Sequence, residues 1–167
     1  MRFARTLVPA AIAALFLSSG PGPAQAAADG DGARAGETCA GHPGTVRLLV
    51  DVQGVRSSQG LIAVTLYADN PQKFLAHHGS LYVGRVPARQ GTTRLCLWVP
   101  KPGIWALAVY HDENGNRKFD RNMFGMPREG AGFSNNPSTF FGLPAFHKVR
   151  FQVRGPETGI NVRLKYP

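Results

Sequence analysis

The stretch HDENGNRKFDRN, residues 111–122, sets Asp112, Asn114 and Asn116 at every second position and adds Asp120 beyond two basic residues and a phenylalanine. Oxygen-bearing side chains at such spacing can converge on one point, and a calcium ion needs six to eight oxygen ligands at about 2.3–2.6 Å. Asp112, Asn114, Asn116 and Asp120 take the first, third, fifth and ninth places of such a loop, and the carbonyl of Lys118 falls at the seventh. Two positions depart from an EF-hand. The sixth is Arg117 where the sharp turn asks for Gly, and the twelfth is Met123 where a bidentate Glu is usual. Arg117, Lys118 and Arg121 also offset Asp112, Glu113 and Asp120. The competing reading is a self-capped turn, in which the Asp and Asn side chains bond their own backbone and Asn114-Gly115 supplies positive φ angles. Both readings stand at this point.

Other chemistry is sparse. The five histidines, His42, His77, His78, His111 and His147, form no HExxH and no pair at helical spacing, so a zinc site would have to be assembled from His111, His147 and one of the adjacent pair. No G-x-S-x-G nucleophile motif occurs, and Ser134 in GFSNN reads as a turn cap. Asp112 and Asp120 lie among cations that hold both ionised, which leaves neither poised as a general acid. The expectation is therefore a protein without enzymatic activity, with an unrecognised hydrolase as the third choice among function classes.

The elements that must hold this loop are strands. Residues 1–26 order themselves as a secretory signal peptide: Arg2 and Arg5, an apolar run over residues 7–17, then Ala24-Gln25-Ala26. That run is too short to span a bilayer, and none longer follows, so the expectation is an exported protein, periplasmic or secreted, that does not span the membrane. The net charge of +9 loses Arg2 and Arg5 with the signal. Nucleic acid is an improbable partner for an exported chain without an RNA or DNA motif. Residues 27–44 read as an irregular arm, small and polar, and residues 45–167 as one domain. In an oxidising compartment Cys39 and Cys96 are expected to pair.

Alternation with a period of two marks the strands. Val46, Leu48, Val50 and Val52 share one face, and Ile62, Val64 and Leu66 another; the turn residues between these runs suggest a hairpin. Residues 69–80 form a connection with one helical turn around Phe74 and Leu75. LYVGRVP and TTRLCLWVP give a short strand and a longer one, the latter with Leu95, Leu97 and Val99 inward. Cys96 then points outward, and its bond to Cys39 straps the arm over the outside of the sheet above Trp98. The most apolar strand, residues 104–110, turns Trp105, Leu107 and Val109 to the core. After a long irregular segment, Val149, Phe151 and Val153, then Ile160, Val162 and Leu164, mark two final strands joined by GPETG. The sum is an all-β fold: an antiparallel seven-stranded β-sandwich with one long ordered loop.

Past the Asp/Asn stretch, FGMP recurs as FGLP around GFSNN. The run from HDENGN through FG.P.EG.GFSNN to a second FG.P.F resembles a bacterial exported family known only as a domain of unknown function (DUF2141), over residues 45–166. The resemblance implies an exported sandwich, similar also to transthyretin-like and carboxypeptidase-regulatory-like domains, and it implies no activity. The family's typical loop carries Gly where this chain has Arg117.

A 35-residue segment without regular structure inside a compact domain tends to be functional. Phe119, Phe124, Phe133, Phe140, Phe141 and Phe146 are expected to pack as a satellite cluster that fixes it; alternatively Phe124, Phe133, Ser134, Asn135, Asn136 and Phe141 present an aromatic and amide platform for a glycan or peptide. A second surface is basic. Lys148, Arg150, Arg154, Arg163 and Lys165 take the outward positions of the two last strands, and a hairpin would gather them for anionic lipid headgroups or envelope polysaccharide. The leading expectation is a binding or accessory module of the cell envelope with a calcium-stabilised loop, and the basic face is the alternative.

Overall fold

The computed structural model describes residues 38–139 and 142–167. The signal segment, most of the N-terminal arm, Phe140 and Phe141 lie outside the described residues.

Among the described residues eight strands form two sheets: β1 (Val46–Val55), β2 (Leu61–Ala68), β3 (Tyr82–Pro87), β4 (Gly91–Val99), β5 (Gly103–Asp112), β6 (Ala131–Phe133), β7 (Phe151–Val153) and β8 (Glu157–Arg163), with a single helical turn, α1 (Phe146–Val149), before β7. One sheet runs β4-β1-β8 and the other β3-β2-β5-β6, with β7 also on β5. The expected all-β sandwich is what the chain forms. The alternating residues build its interior as their spacing requires: Val46, Leu48, Val50 and Val52 from β1 meet Ile62, Val64 and Leu66 from β2, Leu95, Leu97 and Val99 from β4, and Trp105, Leu107 and Val109 from β5.

The pairings differ from those the turns suggest. β1 and β2 form no hairpin: β1 pairs with β4 and β8, while β2 pairs with β3 and β5. Each short connection crosses from one sheet to the other, because both strands bury one face and the two faces must oppose each other. β8 runs parallel to β1, the one departure from antiparallel pairing among the strands. The two last strands separate likewise, β7 to β5 and β8 to β1. Residues 71–78 make turns rather than a helical turn, with Leu75 at φ 57°. Val149 closes α1 instead of opening a strand.

Cys39 and Cys96 are bonded. The described part of the arm they anchor, residues 38–44, does not lie over the sheet face. The Ala40 amide donates to the Cys96 carbonyl (2.8 Å) and the Trp98 amide to the Ala40 carbonyl (2.9 Å), so the arm runs along the free edge of β4. Unpaired edge amides and carbonyls are the stronger attractor. A methyl built on Gly84 of β3 would touch Ala40 and collide with Leu97. The arm thus seals the gap between β4 and β3, which belong to different sheets.

Candidate functional site

A second, smaller cluster covers the outer face of β5. Tyr67, Ala106, Phe133 and Val149 are buried there, with Phe74, Leu75, Ala108 and Phe146 against them. This is part of the expected satellite cluster: Phe133 and Phe146 belong to it, Phe119 packs edge-on to Tyr110 instead (5.6 Å), and Phe124 stays 82 % exposed.

GFSNN is consumed by the fold. β6 and β7 share one edge of β5, and Ser134 fills the gap between them: the Leu107 amide donates to its hydroxyl (2.9 Å), its own amide donates to the Leu107 carbonyl (3.1 Å), and the hydroxyl donates to the Val149 carbonyl. Asn135 and Asn136 both adopt positive φ, a conformation Asn tolerates well. Asn135 donates to the Arg150 carbonyl (2.7 Å), and Asn136 accepts from the Arg163 amide (2.7 Å) and donates to the Asn161 carbonyl (3.1 Å), acting as a short neighbour for the exposed edge of β8. Phe133 and Ser134 are buried, so the expected platform loses its centre. Of its remaining members Phe124 is exposed, and Phe141 lies outside the described residues.

The basic face is divided as well. Lys148 sits on α1, Arg150 pairs with Asp69 (3.4 Å) just before β7, and Arg163 ends β8 in the other sheet, while Lys165 exchanges backbone bonds with Ala131 of β6 (2.9 Å each) and its ammonium reaches the Pro137 carbonyl (3.4 Å). Arg154 follows β7, its amide held by Thr158 (2.9 Å). The terminal hairpin expected to gather these cations does not form.

The Asp/Asn stretch begins on a firm base. Asp112 is the last residue of β5 and fully buried. One of its oxygens, Oδ2, accepts the Arg117 amide (2.7 Å); Oδ1 has no partner. Asn114 Oδ1 accepts the Asn116 amide (3.0 Å), Asn116 Oδ1 accepts the Lys118 amide (2.7 Å), and both Asn amide groups donate to the Asp120 carboxylate. Those donors, Asn116 first, hold Asp120 below the usual carboxylate range. These are the bonds of the self-capped turn. Arg117, at the place where an EF-hand carries Gly, nevertheless takes the left-handed conformation, φ 63°. Gly115 has φ 70°, and Asn114 does not share it.

Sequence reasoning kept Glu129 as the fixed acid of the FG.P.EG motif but gave it no role. It lies two residues before β6, is 4 % exposed, and accepts the Asp120 amide through Oε2 (3.1 Å), while Oε1 has no partner. Burial pushes its carboxyl up, and the charges of Asp120 and Asp112 push the same way, against the backbone of Asp120 and, more weakly, of Glu113. The motif marked the position, but a lone Glu in PREG has no ligand spacing to the Asp/Asn stretch that would reveal its partner.

Beside the loop, His111 is buried, with Nδ1 at 2.8 Å from the Tyr166 hydroxyl and Nε2 at 2.7 Å from the Gln59 carbonyl. The carbonyl can only accept, so Nε2 carries the proton and the tyrosine donates to Nδ1. Arg56 grips Glu113 through two nitrogens and stacks over Tyr166 at 4.5 Å, and its hydrogen bond holds Glu113 below the usual range. Both His111 nitrogens are spent on structure, which removes the central ligand of the zinc arrangement. Among the described residues no three of His, Cys, Asp and Glu converge as a ready-made metal site.

On the outer face of the second sheet a groove of about 750 Å³ opens between Tyr67, Ala108 and Tyr110 on one side and Phe119, Met126 and Leu143 on the other. Two of its lining residues, Met126 and Leu143, and two neighbours on the 122–126 turn are unusual for a surface. Met123 (91 %), Phe124 (82 %), Met126 (59 %) and Leu143 (63 %) are exposed, and elsewhere among the described residues only Leu81 is a large exposed apolar side chain.

No helix among the described residues is long and apolar enough to cross a membrane. No curated relative and no solved structure matches the chain. The model of an uncharacterised family conserved in bacteria matches residues 50–161, from the middle of β1 into β8 and across the whole loop, and the chain belongs to that family, DUF2141.

Proposed function

We propose that this chain acts after export as a non-enzymatic binding or accessory module of the cell envelope, with its Asp/Asn loop held by calcium and the apolar rim of the loop as its binding surface. The occupant is an apolar peptide segment of a partner protein. Exposed Met126 and Leu143 in the groove lining, with exposed Met123 and Phe124 on the turn that carries Met126, carry this reading. Contiguous exposed apolar side chains mark interaction surfaces, and methionines adapt to varied apolar partners. A glycan is the weaker candidate because Asn135 and Asn136, which would supply its hydrogen bonds, already bond to the fold.

The test is a peptide-display library selected on the full chain, followed by rebinding of the enriched peptides to a variant carrying Phe124→Ser and Met126→Ser. Both side chains are exposed, so the variant keeps its fold. Enriched peptides should be apolar and should bind the variant at least about tenfold more weakly. Unchanged binding, or no enrichment, refutes the reading.

A further inference from the structure

The β5–β6 register pairs Ala108 with Phe133, Val109 with Gly132 and Tyr110 with Ala131, and one further bond, from the His111 amide to the Gly130 carbonyl (2.9 Å), continues it. Carried one step more, the register sets Asp112 opposite Glu129. Directly opposed side chains in an antiparallel pair have Cβ atoms about 4.5–5.5 Å apart, and like charges so placed repel. Both carboxylates are more than nine-tenths buried, each spends one oxygen on a loop amide (Arg117 or Asp120), and each leaves the other oxygen without a partner. Arg117, Lys118, Arg121 and Arg128 are all exposed, and among the described residues none forms an ion pair with either carboxylate. Buried carboxylates are stable when paired with cations or when they coordinate a metal.

We infer that Asp112 and Glu129 are the two inner ligands of a calcium site, with Glu129 supplying the carboxylate that the twelfth position, Met123, lacks. The inference rests on the reading of the loop as ion-held and specifies where the ion sits: at the end of the β5–β6 ladder, rather than among the solvent-facing amides alone. The Asp120 amide bonds Glu129 and the Arg117 amide bonds Asp112, which sets both carboxylates under the loop, and carboxylate oxygens suit calcium better than metals that prefer nitrogen or sulfur. The site adjoins the groove, since Glu129 and Phe119 also line it, so the ion fixes the segment that bears the apolar rim.

Calorimetric titration of the full chain with calcium chloride, and melting in millimolar calcium or in EDTA, test this on wild type, Glu129→Gln and Asp112→Asn. The wild type should bind calcium and melt higher with it. Each variant should lose at least about tenfold in affinity, yet Glu129→Gln should melt higher than wild type in EDTA, because one of two opposed charges has gone. Calcium binding by wild type with unchanged affinity in Glu129→Gln overturns the inference and leaves the loop reading intact. No calcium binding by wild type overturns both. A Glu129→Gln variant that melts lower than wild type in EDTA also overturns the inference, since the repulsion it should relieve is then absent.

Discussion

Replacing Ser134 with Ala removes one hydroxyl and leaves two buried backbone groups without partners. The Leu107 amide lies in the gap on the edge of β5 between β6 and β7, and the serine oxygen stands there in place of a strand carbonyl. The Val149 carbonyl at the end of α1 loses its donor at the same time. Ser134, Leu107 and Val149 are buried, so bulk water does not replace either bond. An unsatisfied buried group costs about 1–3 kcal/mol, which puts the change at about 3 kcal/mol for the pair. For a domain of this size that lowers the melting temperature by about 10 °C. Urea denaturation followed by tryptophan fluorescence measures the change, because Trp105 packs in the main core. Asn135→Gly is the control: it keeps the permissive φ and deletes only bonds at the surface, so its cost should stay below about 1 kcal/mol. A Ser134→Ala variant within about 1 kcal/mol of wild type would refute the claim that this motif is a structural lock.

Arg117→Gly should stabilise the fold by about 1 kcal/mol, since Arg117 holds φ 63° and an L side chain pays for that conformation; a lower melting temperature would show that the arginine side chain contributes more than its backbone costs. Reduction of Cys39–Cys96, which spans 57 residues, should cost about 4 kcal/mol on loop-closure grounds. Denaturation with and without reductant checks this, and a change below about 1 kcal/mol would mean that the arm stays on the β4 edge unaided.

The interior was legible because it depends on local alternation alone. Every inward residue expected from β1, β2, β4 and β5 is buried, as the period of two requires. Pairing was not legible, because the short turns after Val55 and Pro87 look the same whether the chain doubles back within a sheet or crosses to the other. The edge course of the arm was hidden for a related reason: side-chain pattern gives no account of the unpaired main-chain groups of β4. In the loop, the spacing located Asp112, Asn114, Asn116 and Asp120, and their mutual bonds were readable from Asx chemistry. Glu129 was not, since its approach to Asp112 depends on β6, a three-residue strand too short to show a period. GFSNN was recognised as distinctive, but its polar groups are satisfied by residues 13 to 27 positions away, and no local rule reveals that.

The parallel neighbourhood of β1 and β8 also governs how this fold can be reached. The strand at the centre of the smaller sheet appears first as the chain is made, and one of its two flanks is the last strand to appear. Until residues 157–163 arrive, β1 offers an open row of donors and acceptors to any passing strand, and the ring to be closed spans nearly the whole domain. A chain made from its N-terminus must therefore wait for β8 before it becomes cooperative, and deleting residues 157–163 should yield a sticky, protease-sensitive collapse rather than a slightly weakened sandwich.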